Sequence, residues 1–402
     1  MEKDKLRFWF VCFIIFILLP VESRFVDSKK PVREEFRFLA DLLFDNEFLE
    51  SNTVDAVIDI EYDSNLTDYG FPGDGSASDP YRIEDYIIDT TMRYGIKIIN
   101  TTKHILIQNC SIRAERAAIG VFQTASNTIT IENCICKSYD RLGLLASYVP
   151  KMVVTNNLFI DNDKGIDYNS CFEALIANNT FIDNDIGIMI ENNSTYGVIS
   201  GNYIYDNSIG MLLTNAPGNQ IKENILFNNG IGIILDSTYP ERASTNCEIS
   251  YNLIENTTSF GLIISAFIGQ DFSSYNEIHH NSFVNNNLNG NSQAKDDGVE
   301  NLWSKEGIRV GNYWSDWWGI GSYKINGSAE NKDRYPISKP LHTLQTSVPT
   351  ILIGRAIVFG TFIPVLIIGY IIVNESKRSR KAKDQQLVII EKEEKEANED
   401  NS

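Results

Sequence analysis

The sequence holds only four histidines in 402 residues, His104, His279, His280 and His342. That is little to build a histidine-rich metal centre from, since imidazole is the commonest ligand for transition metals. Six cysteines are present, and Cys12 falls in an apolar leader, so an odd five remain and no complete disulfide framework is implied. Positive charge is scarce as well: 35 Lys and Arg against 53 Asp and Glu give a net charge of −18. A surface that acidic repels phosphate backbones and argues against a nucleic-acid partner.

Long apolar runs number only two. Lys3, Lys5 and Arg7 precede an uncharged stretch from Phe8 to Leu19, followed by Pro20 and the small residue Ser23. This reads as a signal peptide over residues 1–23, too short to span a bilayer. The second run, Ala356 to Val373 with Ile351, Leu352 and Ile353 upstream, is long enough to cross one, and a transmembrane helix is expected over 348–373. Arg355 near its outer end can snorkel, and Pro364 is tolerated within it. Lys377, Arg378, Arg380, Lys381 and Lys383 follow at once and keep the tail, 374–402, in the cytoplasm. The expected topology is a single-pass membrane anchor with the bulk of the chain outside. Because leader, anchor and tail nearly balance, the exported stretch carries all of the −18.

Between Gly95 and Trp303 the chain repeats. Segments starting at Gly143, Gly165, Gly187, Gly210 and Gly232 lie 22 or 23 residues apart, each Gly followed by apolar residues. A second short apolar stretch then leads to an Asn-rich turn. Hairpin signals between strands are missing, so each strand must pair with its equivalent one coil away. Leucine-rich and helical repeats fit less well, for lack of a recurring Leu pattern or any 3.6-residue period. The expected fold is all-β, a right-handed parallel β-helix of eight coils over 95–303. It follows a cap and leading segment over 24–94 and precedes a Trp-rich cap over 304–347. Phe159, Phe181, Ile204, Leu226, Ile254 and Phe283 should stack inside it. Asn157, Asn179, Asn202, Asn224, Asn252 and Asn281 should form an amide ladder, with Asn162, Asn184, Asn207 and Asn229 as a second. The repeated glycines are expected to supply positive φ or a tight bend. Pro31 to Leu49, with Phe36, Leu39, Leu42, Leu43 and Phe48 among charges, reads as an amphipathic helix over the N-terminal coil.

These repeats, with Gly311-Asn-Tyr-Trp-Ser-Asp-Trp317, Asp333-Arg-Tyr-Pro-Ile337 and the upstream Gly70 to Glu84 segment, resemble the β-helix domain of NosD-type periplasmic copper-binding proteins and related archaeal surface proteins. The resemblance runs from about Ile58 to Leu341 and implies a pectin-lyase-like fold. It also implies copper as a cofactor, whereas the residue count does not support a copper site. No carboxylate follows Asp316 in the next eight residues, where many relatives carry an Asp/Gly-rich stretch suited to a hard cation.

Several residues remain as candidate sites. Asp161, Asp183 and Asp206 recur four residues before a glycine and should stack as a column of carboxylates, able to hold Ca²⁺ or simply to face water. Trp314, Trp317 and Trp318 could offer stacking faces to sugar rings or close the open end of the solenoid. Cys110 and Cys134 share one ladder position in consecutive coils, either as a disulfide or as two buried thiols in place of Asn. His279 and His280, adjacent on a strand, should point to opposite faces and so serve a turn or the surface rather than chelate one ion. Sequons at Asn65, Asn100, Asn192, Asn193, Asn256 and Asn326 are possible glycosylation sites; those at Asn109 and Asn178 sit in strand turns.

No catalytic set is recognisable: Lys164 is the only basic residue from Asp161 through Gly210. The sequence therefore reads as a non-catalytic β-helix at the cell surface that binds carbohydrate, an envelope component or another protein. A tethered polysaccharide lyase or hydrolase is the competing expectation, and NosD-like copper handling the third.

Overall fold

Each coil of the solenoid lays down three short strands, because its apolar residues come in runs of three to six broken by residues that accept a left-handed backbone. The computed structural model describes residues 56–341 apart from 140, 238–242, 266–272 and 306. Three parallel sheets of ten, nine and ten strands run the length of the rod. The first includes Tyr94–Ile99, Ala117–Phe122, Leu142–Ser147, Lys164–Asn169, Ile186–Glu191, Ile209–Thr214 and Ile231–Asp236. Pairing is in register from coil to coil, for example Leu144 with Ile166, Ile166 with Ile188 and Ile188 with Met211. Between Gly95 and Trp303 the second and third sheets each contribute eight strands, matching the eight expected coils. The leading segment adds strands Ile58–Ile60, Tyr81–Glu84 and Ile87–Asp89 ahead of them, and Tyr313–Trp314 extends the third sheet beyond. One seven-residue helix, Asp63–Tyr69, packs Leu66 into the core near the first strand.

The bends between sheets need positive φ, and the sequence supplies residues that tolerate it. Asn109, Asn133, Asn156, Asn178, Glu223, Tyr251 and His280 take φ of 55° to 58° after second-sheet strands. The sequons at Asn100, Asn192, Asn193 and Asn256 are left-handed positions of the same kind, which is itself a reason for Asn there.

Inside, the expected columns are present. Phe159, Phe181, Ile204, Leu226, Ile254 and Phe283 are fully buried, with Phe159 and Phe181 stacked at 5.0 Å between centroids. The glycine column has a different cause from the expected one. None of Gly143, Gly165, Gly187, Gly210 and Gly232 has positive φ; a Cβ on Gly165 would lie 2.6 Å from the Gly187 carbonyl oxygen and 2.7 Å from the Phe181 ring. Close packing against the aromatic column, not backbone handedness, demands glycine there.

The leader, the amphipathic stretch from Pro31, the anchor at 348–373, the tail and His342 lie outside the described residues. Among the described residues no helix is long and apolar enough to cross a membrane.

Candidate functional site

The polar residues of the rod fall into two groups, those that hold it together and those it displays. In the first group are three side-chain ladders at the three corners. Along one, Asn157 Nδ2 donates to Asn179 Oδ1 at 3.0 Å, and the same step repeats through Asn202, Asn224, Asn252, Asn281 and Asn312. Each Oδ1 also accepts the backbone N–H of the preceding rung, as from Asn179 to Asn202 at 2.9 Å. Asn312 donates its backbone N–H to the Asp333 carboxylate at 2.7 Å. The second ladder, Asn162 to Asn229, is continued at that corner by Thr257, Asn286 and Gln293, and Gln293 Nε2 donates to Asp316. At the third corner Asn276 donates to Asn301, and Asn301 to Asp296. All three ladders thus end on carboxylates of the C-terminal closure.

Cys110 and Cys134 belong to the first ladder, and no disulfide links them. Cys134 Sγ donates to the Ile107 carbonyl one coil back, as Asn157 Nδ2 does to Ile131, so the thiol stands in for an amide. The two are buried thiols, not a cystine. Cys247 plays the same part at another corner, its Sγ reaching the Ala216 carbonyl. Burial raises the Cys110 thiol, pushes that of Cys171 up to about 11 and that of Cys247 to about 12.

Of the two expectations for the tryptophans, Trp314 follows the plug and not the sugar platform. It is 1% exposed, sandwiched between Phe283 at 4.3 Å and Tyr323 at 4.1 Å, and its Nε1–H donates to Asp333. Its partner in the plug is Trp303, whose Nε1–H donates to the buried Asp296. Trp317 is partly buried against the same core, and only Trp318, 95% exposed, presents a free face.

Asp161, Asp183 and Asp206 do recur once per coil, each in the left-handed conformation with φ of 54° to 58°. Asp161 is ion-paired with Lys137 at 3.1 Å. Among the described residues no three His, Cys, Asp or Glu side chains group so as to hold a metal. The column is therefore explained by the bend, which Asp and Asn tolerate. His280 is likewise a bend residue, so the opposite-faces argument fails: its Nδ1 lies 2.8 Å from that of His279, and its ring stacks on Tyr251. One ring donates its Nδ1–H to the Nδ1 of the other. Burial and the neighbouring positive charges of His280 and Lys305 hold His279 below the usual histidine range.

The displayed group lies on the outer face of the first sheet. Residues there point outward at three places per strand, which gives the columns Ile186, Ile209, Ile231 and Met189, Leu212, Ile234, Ile263, all half-buried. Nearer the N-terminal end Tyr94, Ala117, Phe122, Leu142 and Leu145 form an apolar cluster separate from the core. Lys164 and Asp167 interrupt the first two outward columns, and the third is polar through Ser147, Asn169, Glu191, Thr214 and Asp236. Lys164 Nζ pairs with Asp167 Oδ2 at 2.7 Å, and Asn169 Nδ2 donates to Glu191 Oε1 at 3.0 Å. Asp167 is 7% exposed, and its Oδ1 is buried with no hydrogen-bond partner. Burial first, and then the charge of Asp167, push the Glu191 carboxyl above the usual range. Sequence reading missed this group because Lys164, Asp167 and Glu191 are spread over two coils. The available signal was two polar residues, Lys164 and Asp167, at outward positions where the neighbouring coils carry Leu142 and Ile186, and Leu145 and Met189.

The coils that carry this face also carry a family signature. Residues 74–241 match the NosD family, described as periplasmic copper-binding protein. The solenoid and its parallel sheets agree with the fold that resemblance implies. NosD implies copper, and the matched residues do not fit it. His104 is their only histidine, Cys110, Cys134, Cys136 and Cys171 are all buried, and burial raises the thiols of Cys110, Cys136 and Cys171. Solved structures of similar fold include the mannuronan C-5 epimerase AlgE6 A-module of Azotobacter vinelandii, 14% identical with a TM-score of 0.43 over 56% of this chain and 63% of that one. A double mutant of the periplasmic alginate epimerase AlgG is 16% identical, TM-score 0.37, over 61% and 71%. The Dettilon tailspike protein is 14% identical, TM-score 0.41, over 70% and 65%. The chain spans less than two thirds of the AlgE6 module. No curated protein matches the chain.

Proposed function

We propose that this chain is a non-catalytic, exported binding module that holds a carbohydrate along the outer face of its first sheet. The observation that carries the reading is Asp167 Oδ1, a buried acceptor without a donor in a column where the adjacent coils carry Leu145 and Met189. Such a group is costly unless something donates to it. A sugar hydroxyl supplies that donor while its C–H faces lie on Leu145 and Met189, the outward residues one coil to either side. Asn169, Lys164 and Glu191 add polar contacts around it. The leader and anchor read from the sequence would present this face outside the cell, fixed to the membrane. Binding to a panel of glycans, followed by titration calorimetry with Asp167→Ala, tests this. A loss of affinity of about tenfold is expected; unchanged affinity would defeat the reading.

A polysaccharide lyase or hydrolase is the second reading, and Glu191 favours it. A carboxyl raised by burial beside an ion-paired carboxylate is the arrangement that separates an acid from a base. Turnover of a uronate or neutral polysaccharide that is abolished by Glu191→Gln would decide for an enzyme.

A further inference from the structure

Three arginines occupy one position in three successive coils, just before the strands that carry the apolar cluster. The register is fixed by the backbone: Arg116 N–H and Ala117 N–H donate to the Arg93 carbonyl, Leu142 N–H to that of Arg116, and Lys164 N–H to that of Arg141. Successive positions are therefore one coil apart, about 4.8 Å. Among the described residues none of the three guanidinium groups is ion-paired, although the chain carries −18. Arg93 and Arg141 are exposed, and Arg116 Nε is buried without a hydrogen-bond partner. Arg93 lies 5.7 Å from the centre of the Tyr94 ring, which meets Phe122 edge-on at 5.8 Å. In the next coil this position is taken by Asp163, since Leu142 pairs with Lys164, and the basic series ends there.

Stacked like charges repel, and an acidic protein has carboxylates enough to pair them. A strip of unpaired arginines beside a flat apolar patch is instead suited to a ligand with negative charge at regular intervals. Guanidinium groups recognise carboxylate and sulfate through paired N–H donors. Tyr94, Phe122 and Leu142 supply an apolar floor for sugar rings. We propose that Arg93, Arg116 and Arg141 form an anion-binding strip, and that the glycan held on the first sheet is a chain of acidic sugars, uronic or sulfated. This rests on the carbohydrate reading above and extends it from Asp167 toward the N-terminal coils.

The test uses the full chain in detergent and three probes: a polygalacturonate oligomer, its methyl ester, and a sulfated dextran oligomer. Tighter binding of a charged probe than of the ester, by about tenfold or more and weakening with salt, is expected. Preference for polygalacturonate assigns the anion as carboxylate, and preference for dextran sulfate as sulfate. The triple variant Arg93→Gln, Arg116→Gln, Arg141→Gln should lose that preference and keep binding of the ester, with an unchanged melting temperature. Equal affinity for ester and charged probes overturns the strip while leaving the carbohydrate reading intact. So does a triple variant that binds like the parent. If the triple variant melts early, the single exposed substitution Arg141→Gln is read instead, and no loss of charge preference overturns the strip. Absence of binding to every probe and to the glycan panel overturns both proposals.

Discussion

Asp333 accepts the backbone N–H of Asn312 at 2.7 Å and the Trp314 indole N–H at 3.0 Å, so one carboxylate closes a ladder and pins the aromatic plug. The Tyr335 N–H donates to its other oxygen at 2.9 Å. Replacing it with Ala leaves several buried donors unpaired, and a stability loss of about 3 kcal/mol is expected. Urea unfolding of Asp333→Ala reads this directly; a midpoint matching the parent would show that the plug needs no anion.

Burial also raises the Asp333 carboxyl, with its N–H donors working against that rise. A raised folded-state value means that the folded chain holds this proton longer than the unfolded one. Its contribution is complete below the ordinary carboxylate range and declines as pH rises through the folded value. The two neutral-held histidines act oppositely in effect: His279 and His280 are both lowered, so stability is full above the ordinary histidine range and falls as pH drops below it. Melting temperature measured from pH 7.5 down to 5.5 should therefore decline, and His279→Gln with His280→Asn should flatten the slope. An unaltered slope would assign the decline to other groups.

Gly165 has no room for a methyl group, whereas Gly307 has nothing within 4 Å of the same position. Gly165→Ala should cost about 2 kcal/mol or more by overpacking against Phe181 and the Gly187 carbonyl. Gly307→Ala should be close to neutral. The pair is compared by thermal unfolding, and equal effects would contradict the packing explanation.

Asp183 sits at φ 54° in the column expected either to hold calcium or to face water. If the bend governs the choice, Asp183→Asn is nearly neutral and Asp183→Ala costs about 1 kcal/mol. A calcium-dependent difference in melting temperature between parent and Asp183→Asn would restore the metal.

Much of the architecture was legible because strict repetition reports on neighbours: Asn157, Asn179 and Asn202 had to meet once a coil of 22 or 23 residues was recognised. What repetition could not report was the reason for a residue. Gly165 looked like a turn and is a close-packing position; Asp183 could be read as a ligand or a solvated edge and is a bend. Trp314 could be read as a binding face or as a plug and is the plug, a choice set by Asp333 and Tyr323, outside the repeat. The face with Asp167 escaped notice for the converse reason. A site on a solenoid is a departure from the pattern, and a search for the pattern averages it away.

The one-way ladders have a consequence for size. Every rung receives from the coil before and gives to the coil after, so an extra coil set between Asn179 and Asn202 would meet a donor on one side and an acceptor on the other. Asp296, Asp316 and Asp333 would still be the last to receive. The rod can therefore lengthen or shorten by whole coils while its terminus stays the same, and the outer face grows or shrinks with it like a ruler cut to the span of what it holds.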